Sequence, residues 1–163
     1  DAAHTAQVAR RLARLLPPQA QLACSPLQRC AALAAALAGL RPDLQLRHDP
    51  RLREMDFGDW EGQPWDRIDR QALDAWTADF TGYRPGGGDS VALLLERVRQ
   101  ALDETRRQAQ ATGQAPVWIT HAGVMRAVLL LARGPARALQ ARQWPRRALA
   151  FGGSIALDLA RIR

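Results

Sequence analysis

Apolar positions along the chain switch repeatedly between helical spacing and short continuous runs. Val8, Leu12, Leu15 and Leu16 recur as one helical face, and Pro17-Pro18 ends the run. Gln21 to Cys24 follows as a short strand. Ser25-Pro26 predicts a helix start, with serine at the N-cap and proline at the first helical position. Leu33, Leu37 and Leu40 mark that helix's apolar face. Leu44 to Arg47 reads as a second, weaker strand. Asp49 to Gln63 holds proline and glycine and reads as a loop. Trp65 to Phe80 reads as a broken helix, and residues 81–88, with Pro85 and successive glycines, as turns.

Asp89 or Ser90 caps the next helix, whose stripe runs through Val91, Leu94, Leu95, Val98 and Leu102, with Gly113 past its end. Val117-Trp118-Ile119-Thr120, between Pro116 and His121, has the composition of a buried central strand. Val124, Ala127, Val128 and Leu131 return to helical spacing, which Gly134-Pro135 stops. Ser154 to Leu159 reads as a last strand. This alternation predicts an α/β layer fold with a mainly parallel sheet. In such sheets ligands bind beyond the carboxyl ends of strands. The polar residues after Cys24, Arg47 and Thr120 are therefore the ones that matter.

Composition narrows the class. A chain of 163 residues, 47% hydrophobic and 24% charged, makes one folded domain. All 23 cationic side chains are arginine, and the formal net charge is +7, which admits anionic partners without choosing among them. The arginines are scattered, with no basic tail or helix, so no nucleic-acid partner is expected. No apolar run reaches membrane-spanning length, and Asp1-Ala2-Ala3-His4 does not look like a secretory signal. No membrane partner and a cytoplasmic location are expected. Cys24 and Cys30 read as reduced thiols.

Three residues at strand exits carry chemical interest. Arg29 falls in the first turn of its helix, where a guanidinium beside free backbone N–H groups suits phosphate; a plain surface arginine fits as well. His121 closes an apolar strand before Ala122-Gly123, where small residues admit a ligand, although a core histidine bonded to backbone also fits. Glu54 opens the acidic, aromatic segment Glu54-Met55-Asp56-Phe57-Gly58-Asp59-Trp60-Glu61-Gly62.

Four segments in order sharpen this: Ser25-Pro26-Leu27-Gln28-Arg29, then Glu54 to Gly62, then Pro85-Gly86-Gly87-Gly88-Asp89-Ser90, then Thr120-His121-Ala122-Gly123-Val124. Together the chain resembles the histidine phosphatase superfamily, the phosphoglycerate mutase-like proteins, and within it the α-ribazole phosphatase group of cobalamin biosynthesis. The resemblance implies a three-layer α/β fold with helices on both sheet faces. It implies phosphomonoester hydrolysis through a phosphohistidine, with a phosphorylated small molecule as substrate and no metal or other cofactor. Arg29 matches the phosphate-binding arginine, Glu54 the proton donor and His121 the second, phosphate-holding histidine. Asp89 stands where glutamate is common.

The departure is at the front. The family begins with a strand leading into Arg-His-Gly, whose histidine is the nucleophile and whose arginine binds phosphate. That segment is expected upstream of Asp1, so the domain over residues 1–163 reads as lacking its first, internal strand and as catalytically impaired alone. Arg47-His48 is a poor substitute, because it falls after Arg29 and just before Glu54; His4 is poorer. Several rivals remain. A mutase or a broad-specificity phosphatase shares the motifs, and a non-catalytic module would keep phosphate binding through Arg29 and His121. A cysteine phosphatase needs five residues between Cys and Arg, where Cys24 and Arg29 have four. The three histidines lack metal-ligand spacing. Trp60, Trp65, Tyr83 and Arg84 either line a pocket beyond the phosphate or pack as core. The residues leave the oligomeric state open.

Overall fold

The computed structural model describes residues 1–134, 140–146 and 149–161. Helix α1 (Ala2–Leu15) starts where the Asp1 carboxylate accepts the Ala3 N–H at 2.9 Å, an ordinary N-cap. It buries Val8 and Ala9 and leaves Leu15 exposed. Strand β1 (Gln21–Cys24) and helix α2 (Gln28–Leu40) follow. Beyond the end of α2, Arg41 donates to the carbonyls of Ala13, Leu16 and Pro17. Carbonyls at the end of α1 thus find a donor, and the two helices are tied side by side.

Helix α2 begins later than the sequence predicts. Leu27, not Ser25, holds the N-cap position, and no side chain caps it. Ser25 is fully buried, with its hydroxyl 2.8 Å from His121 Nε2. The same oxygen still accepts the Leu27 N–H at 3.3 Å, so it serves both the chain entering the helix and a buried imidazole.

Strands β2 (Gln45–His48) and β3 (Pro116–Ile119) flank β1, both parallel to it, in the order β2-β1-β3. The register runs from Gln21 opposite Gln45 and Pro116 to Cys24 opposite His48 and Ile119. Among the described residues β1 has a neighbour on each side, and β3, expected at the centre, has one, β1. Its apolar run reports cover on the two faces, which helices supply, and says nothing of lateral position.

Helix α3 (Arg70–Ala78) is capped by Asp69, after a separate 3-10 turn at Trp65–Arg67, which accounts for the expected break. Helix α4 (Val91–Thr112) is capped by Ser90 Oγ, which accepts the Leu93 N–H, and ends at Gly113 with φ 69°. Helix α5 (Ala122–Leu131) follows β3. Of the stop expected after it, Gly134 is described and Pro135 lies outside the described residues.

The sheet separates two cores. Leu22 and Cys24 of β1 face α1 and α2, among Val8, Leu33, Leu37 and Ile119; Ala23 faces α4 and α5, among Leu94, Val98, Val124 and Val128. This is the three-layer α/β arrangement. Each fully buried leucine contributes about 2 kcal/mol by removal from water. The strand expected over residues 154–159 is not formed: residues 154–158 take no regular structure, and Leu159–Arg161 is a 3-10 turn. Its alternation of small polar and apolar residues is strand-like, but a strand needs a neighbouring ladder as well as a pattern. Among the described residues no helix is long and apolar enough to cross a membrane.

Candidate active site at the strand exits

The carboxyl ends of β1 and β3 stand side by side, and the pairing continues one step as the Ser25 N–H donates to Ile119 O at 2.9 Å. His121 lies just beyond and is 6% exposed. Arg29, in the first turn of α2, donates from Nε to His121 Nδ1 at 3.0 Å. A guanidinium nitrogen only donates, so Nδ1 accepts. The neutral ring then carries its proton on Nε2, facing Ser25 Oγ. Burial, and then the charges of Arg29 and Arg97, pull the His121 pKa down to about 4.

Glu54 arrives from the loop after β2. Its Oε2 accepts the Gly123 N–H at 3.1 Å in the first turn of α5, and its Oε1 accepts the Met55 N–H at 3.1 Å. A Cβ on Gly123 would strike Glu54 Oε1, so glycine is what admits the carboxylate here. The loop is pinned behind Glu54. Thr120 Oγ1 donates to Leu52 O at 2.8 Å. Buried Asp49 receives Arg51 at 2.7 Å, and Arg51 also reaches Glu104 at 2.6 Å on α4. Burial pushes the Asp49 carboxyl up, but its bonds from Arg51 more than offset this and hold it below the usual range.

The loops around Gly58 and Gly86 meet backbone to backbone. A Cβ on either would run into the other's main chain, and both have positive φ, 52° and 56°. Around them Trp76 contacts Phe57, Trp60, Trp65 and Phe80 at 5.9–6.1 Å between ring centroids, and Trp60 contacts Tyr83 at 6.2 Å. These aromatics pack chiefly on one another, and Trp65 remains 58% exposed.

Three of the sequence's candidates, Arg29, Glu54 and His121, are thus brought to one place. His48 lies on the outer strand β2, and His4 packs on Phe151 at 5.1 Å. Cys24 is fully buried, its thiol pushed up to about 12 by burial and then by Cys30. Burial also raises Cys30, whose Sγ sits 3.5 Å from His121 Nε2. Neither thiol is poised as a nucleophile, and the cysteine reading falls. Among the described residues no cluster of three or more metal-ligating side chains occurs.

Residues 2–149 match the histidine phosphatase superfamily (branch 1). The chain belongs to this superfamily. It is 31% identical over 141 residues to phosphoglycerate mutase-like protein 4 of Arabidopsis thaliana, covering 82% of this chain and 60% of that protein. It thus spans about three fifths of that relative. The mycobacterial glucosyl-3-phosphoglycerate phosphatase in complex with VO3 superposes with a TM-score of 0.65 at 28% identity, over 80% of this chain and 66% of the other. The α-ribazole phosphatase of Shigella flexneri superposes with a TM-score of 0.64 at 25% identity, over 79% and 65%. In this superfamily member the site also gathers residues that the sequence does not point to. Ser25 was read as a cap. Cys30 and Gly123 gave no signal of their own. Arg97 flanks the apolar stripe of α4 and gave no signal either.

Proposed function

We propose that this chain carries the phosphate-binding and acid-bearing part of a phosphomonoesterase working through a phosphohistidine. The observation that carries the reading is the direct Arg29–His121 contact, with the Glu54 carboxylate held on the α5 amide two residues further on. A guanidinium, an imidazole and the first N–H groups of a helix form a cradle for a phosphoryl group. A nucleophilic histidine attacks phosphorus as the bond to the leaving oxygen breaks, and Glu54 gives that oxygen its proton. Arg29 and His121 hold the non-bridging oxygens. The Glu54 carboxylate then takes a proton from water, which attacks the phosphohistidine and releases inorganic phosphate. In this reading the nucleophile is the histidine of the Arg-His-Gly segment that the family resemblance implies; His4 packs on Phe151 and His48 lies on β2, so neither takes that role.

The substrate of this reading is α-ribazole 5′-phosphate. The ordered motifs and the likeness to the Shigella α-ribazole phosphatase support it. A broader phosphatase or a mutase is the alternative, favoured by the likeness to the mycobacterial phosphatase and the Arabidopsis relative. The work is placed in the cytoplasm, on a small phosphate ester and without metal. The full natural protein should release phosphate from α-ribazole 5′-phosphate faster than from glucosyl-3-phosphoglycerate, with a chelator without effect. Rapid acid-free quenching should trap phosphate on histidine, stable in alkali and labile in acid. Phosphate-ester binding with neither turnover nor trapped phosphate would leave a non-catalytic module. Glu54→Gln should slow alkyl phosphates by about 100-fold or more, the usual worth of a general acid, and p-nitrophenyl phosphate far less. Equal losses would remove Glu54 from the acid role.

A further inference from the structure

Arg97 lies on α4, outside the motifs, yet its guanidinium is committed to the loop that carries Glu54. Nη1 donates to Arg51 O at 2.7 Å and to Arg53 O at 2.6 Å. Nη2 donates to Glu54 O at 3.0 Å and to Asp89 Oδ2 at 3.4 Å. Three carbonyls within four residues therefore converge on one planar cation. Such a group holds direction as well as distance, because its N–H bonds are fixed in a fork. Asp89 completes the arrangement from the other side. Its carboxylate accepts the Asp56 N–H at 3.3 Å, and its own N–H donates to Asp56 O at 2.7 Å. The loop is thus held at residues 51–54 by Arg97 and at residue 56 by Asp89, with the Glu54 side chain projecting between the two holds toward Gly123.

We propose that Arg97, braced by Asp89, is a positioning residue that aims the Glu54 carboxyl at the leaving-group oxygen. This rests on the reading of Glu54 as the acid. Burial weakens the cation's hold on its proton and Asp89 offsets only part of this, but an arginine stays charged at any working pH. Its bonds go to carbonyls whose alternative partner is water. Loss of the side chain would free the loop to move by fractions of an ångström, which is where acid catalysis is most sensitive.

The test uses the full natural protein and four chains: wild type, Arg97→Gln, Glu54→Gln and the double variant. Arg97→Gln should lower kcat for alkyl phosphates by about 100-fold, the order that a 1 Å misplacement costs, with KM little changed. Against p-nitrophenyl phosphate, whose leaving group needs no proton, the loss should be within a few-fold. Arg97→Lys should recover part of the rate, since an ammonium reaches one carbonyl but cannot fork. In the double variant, alkyl phosphate turnover should equal that of Glu54→Gln alone. Equal losses on both substrate classes, or fully additive losses in the double variant, would overturn the proposal. If Glu54→Gln itself shows no dependence on leaving group, the acid reading fails. Arg97 is then judged by amide exchange. Faster exchange at Met55 and Asp56 in Arg97→Gln, with the sheet unchanged, sustains the positioning of the loop; unchanged exchange there overturns it.

Discussion

At the scale of single residues, His121 gives the sharpest expectations. Folding lowers its pKa from the ordinary 6.5 to about 4, through burial first and the neighbouring arginines second. The unfolded chain therefore binds the extra proton between pH 6.5 and 4, and the folded one does not. The stabilisation is fully present above pH 6.5 and is lost as pH falls toward 4, at most about 3 kcal/mol. Urea unfolding at pH 7.5 and 4.5 should show this slope, and His121→Gln should flatten it. A phosphate dianion reverses the sign. By engaging Arg29 and facing the ring, it favours the imidazolium. Calorimetry at pH 6 in two buffers of different ionisation heat should record proton uptake on phosphate binding. Binding with no proton exchange would mean that the anion does not reach His121. The side chain of Ser25 was illegible for a related reason. Its residue type announces the bond to the Leu27 N–H at the helix entry, but only the meeting of β1 with β3 brings the same oxygen to the His121 ring.

At the scale of elements, the loops carrying Glu54 and Asp89 depend on glycines that leave no room for a side chain. Gly86→Ala places a Cβ against the Phe57 carbonyl at a φ of 56°, and should destabilise the fold by about 1–3 kcal/mol, read as a lower Tm. Gly123→Ala should behave differently. The three nearest atoms to its Cβ all belong to the Glu54 carboxylate, the end of a flexible side chain, so alkyl phosphate turnover should fall sharply while Tm barely moves. The helices were legible because their apolar stripes repeat with the helix turn and their ends carry Asp1, Asp69, Ser90 and Gly113. The three strands that form were legible as strands but not in lateral order, and the strand read over residues 154–159 does not form. Ala23 and Trp118 pack into the same core, yet among the described residues only Ala23 sits on a strand with neighbours on both sides.

For the whole molecule, the net charge of +7 should draw phosphate esters toward the strand exits. Phosphate affinity should fall several-fold between about 0.01 and 0.3 M salt, as the Debye length shortens from about 30 Å to well under 10 Å. A salt-independent Kd would show that the bulk charge has no part in capture. Arg29, Glu54 and His121 could be read from the chain because each follows a strand and sits in a recognisable segment. Arg97 could not, since nothing in a helical sequence announces that three carbonyls from another loop will converge on it. The strand order has a further effect, on self-association. Among the described residues β3 has one neighbour, β1, and the register turns the N–H groups of Val117 and Ile119 toward it. On the outer side Pro116 has no N–H to give, which leaves Trp118 alone. A further strand laid along that side would find a single donor in Pro116–Ile119 and would take the rest of its pairing from the outward carbonyls, so pairing there rests on what the incoming strand donates.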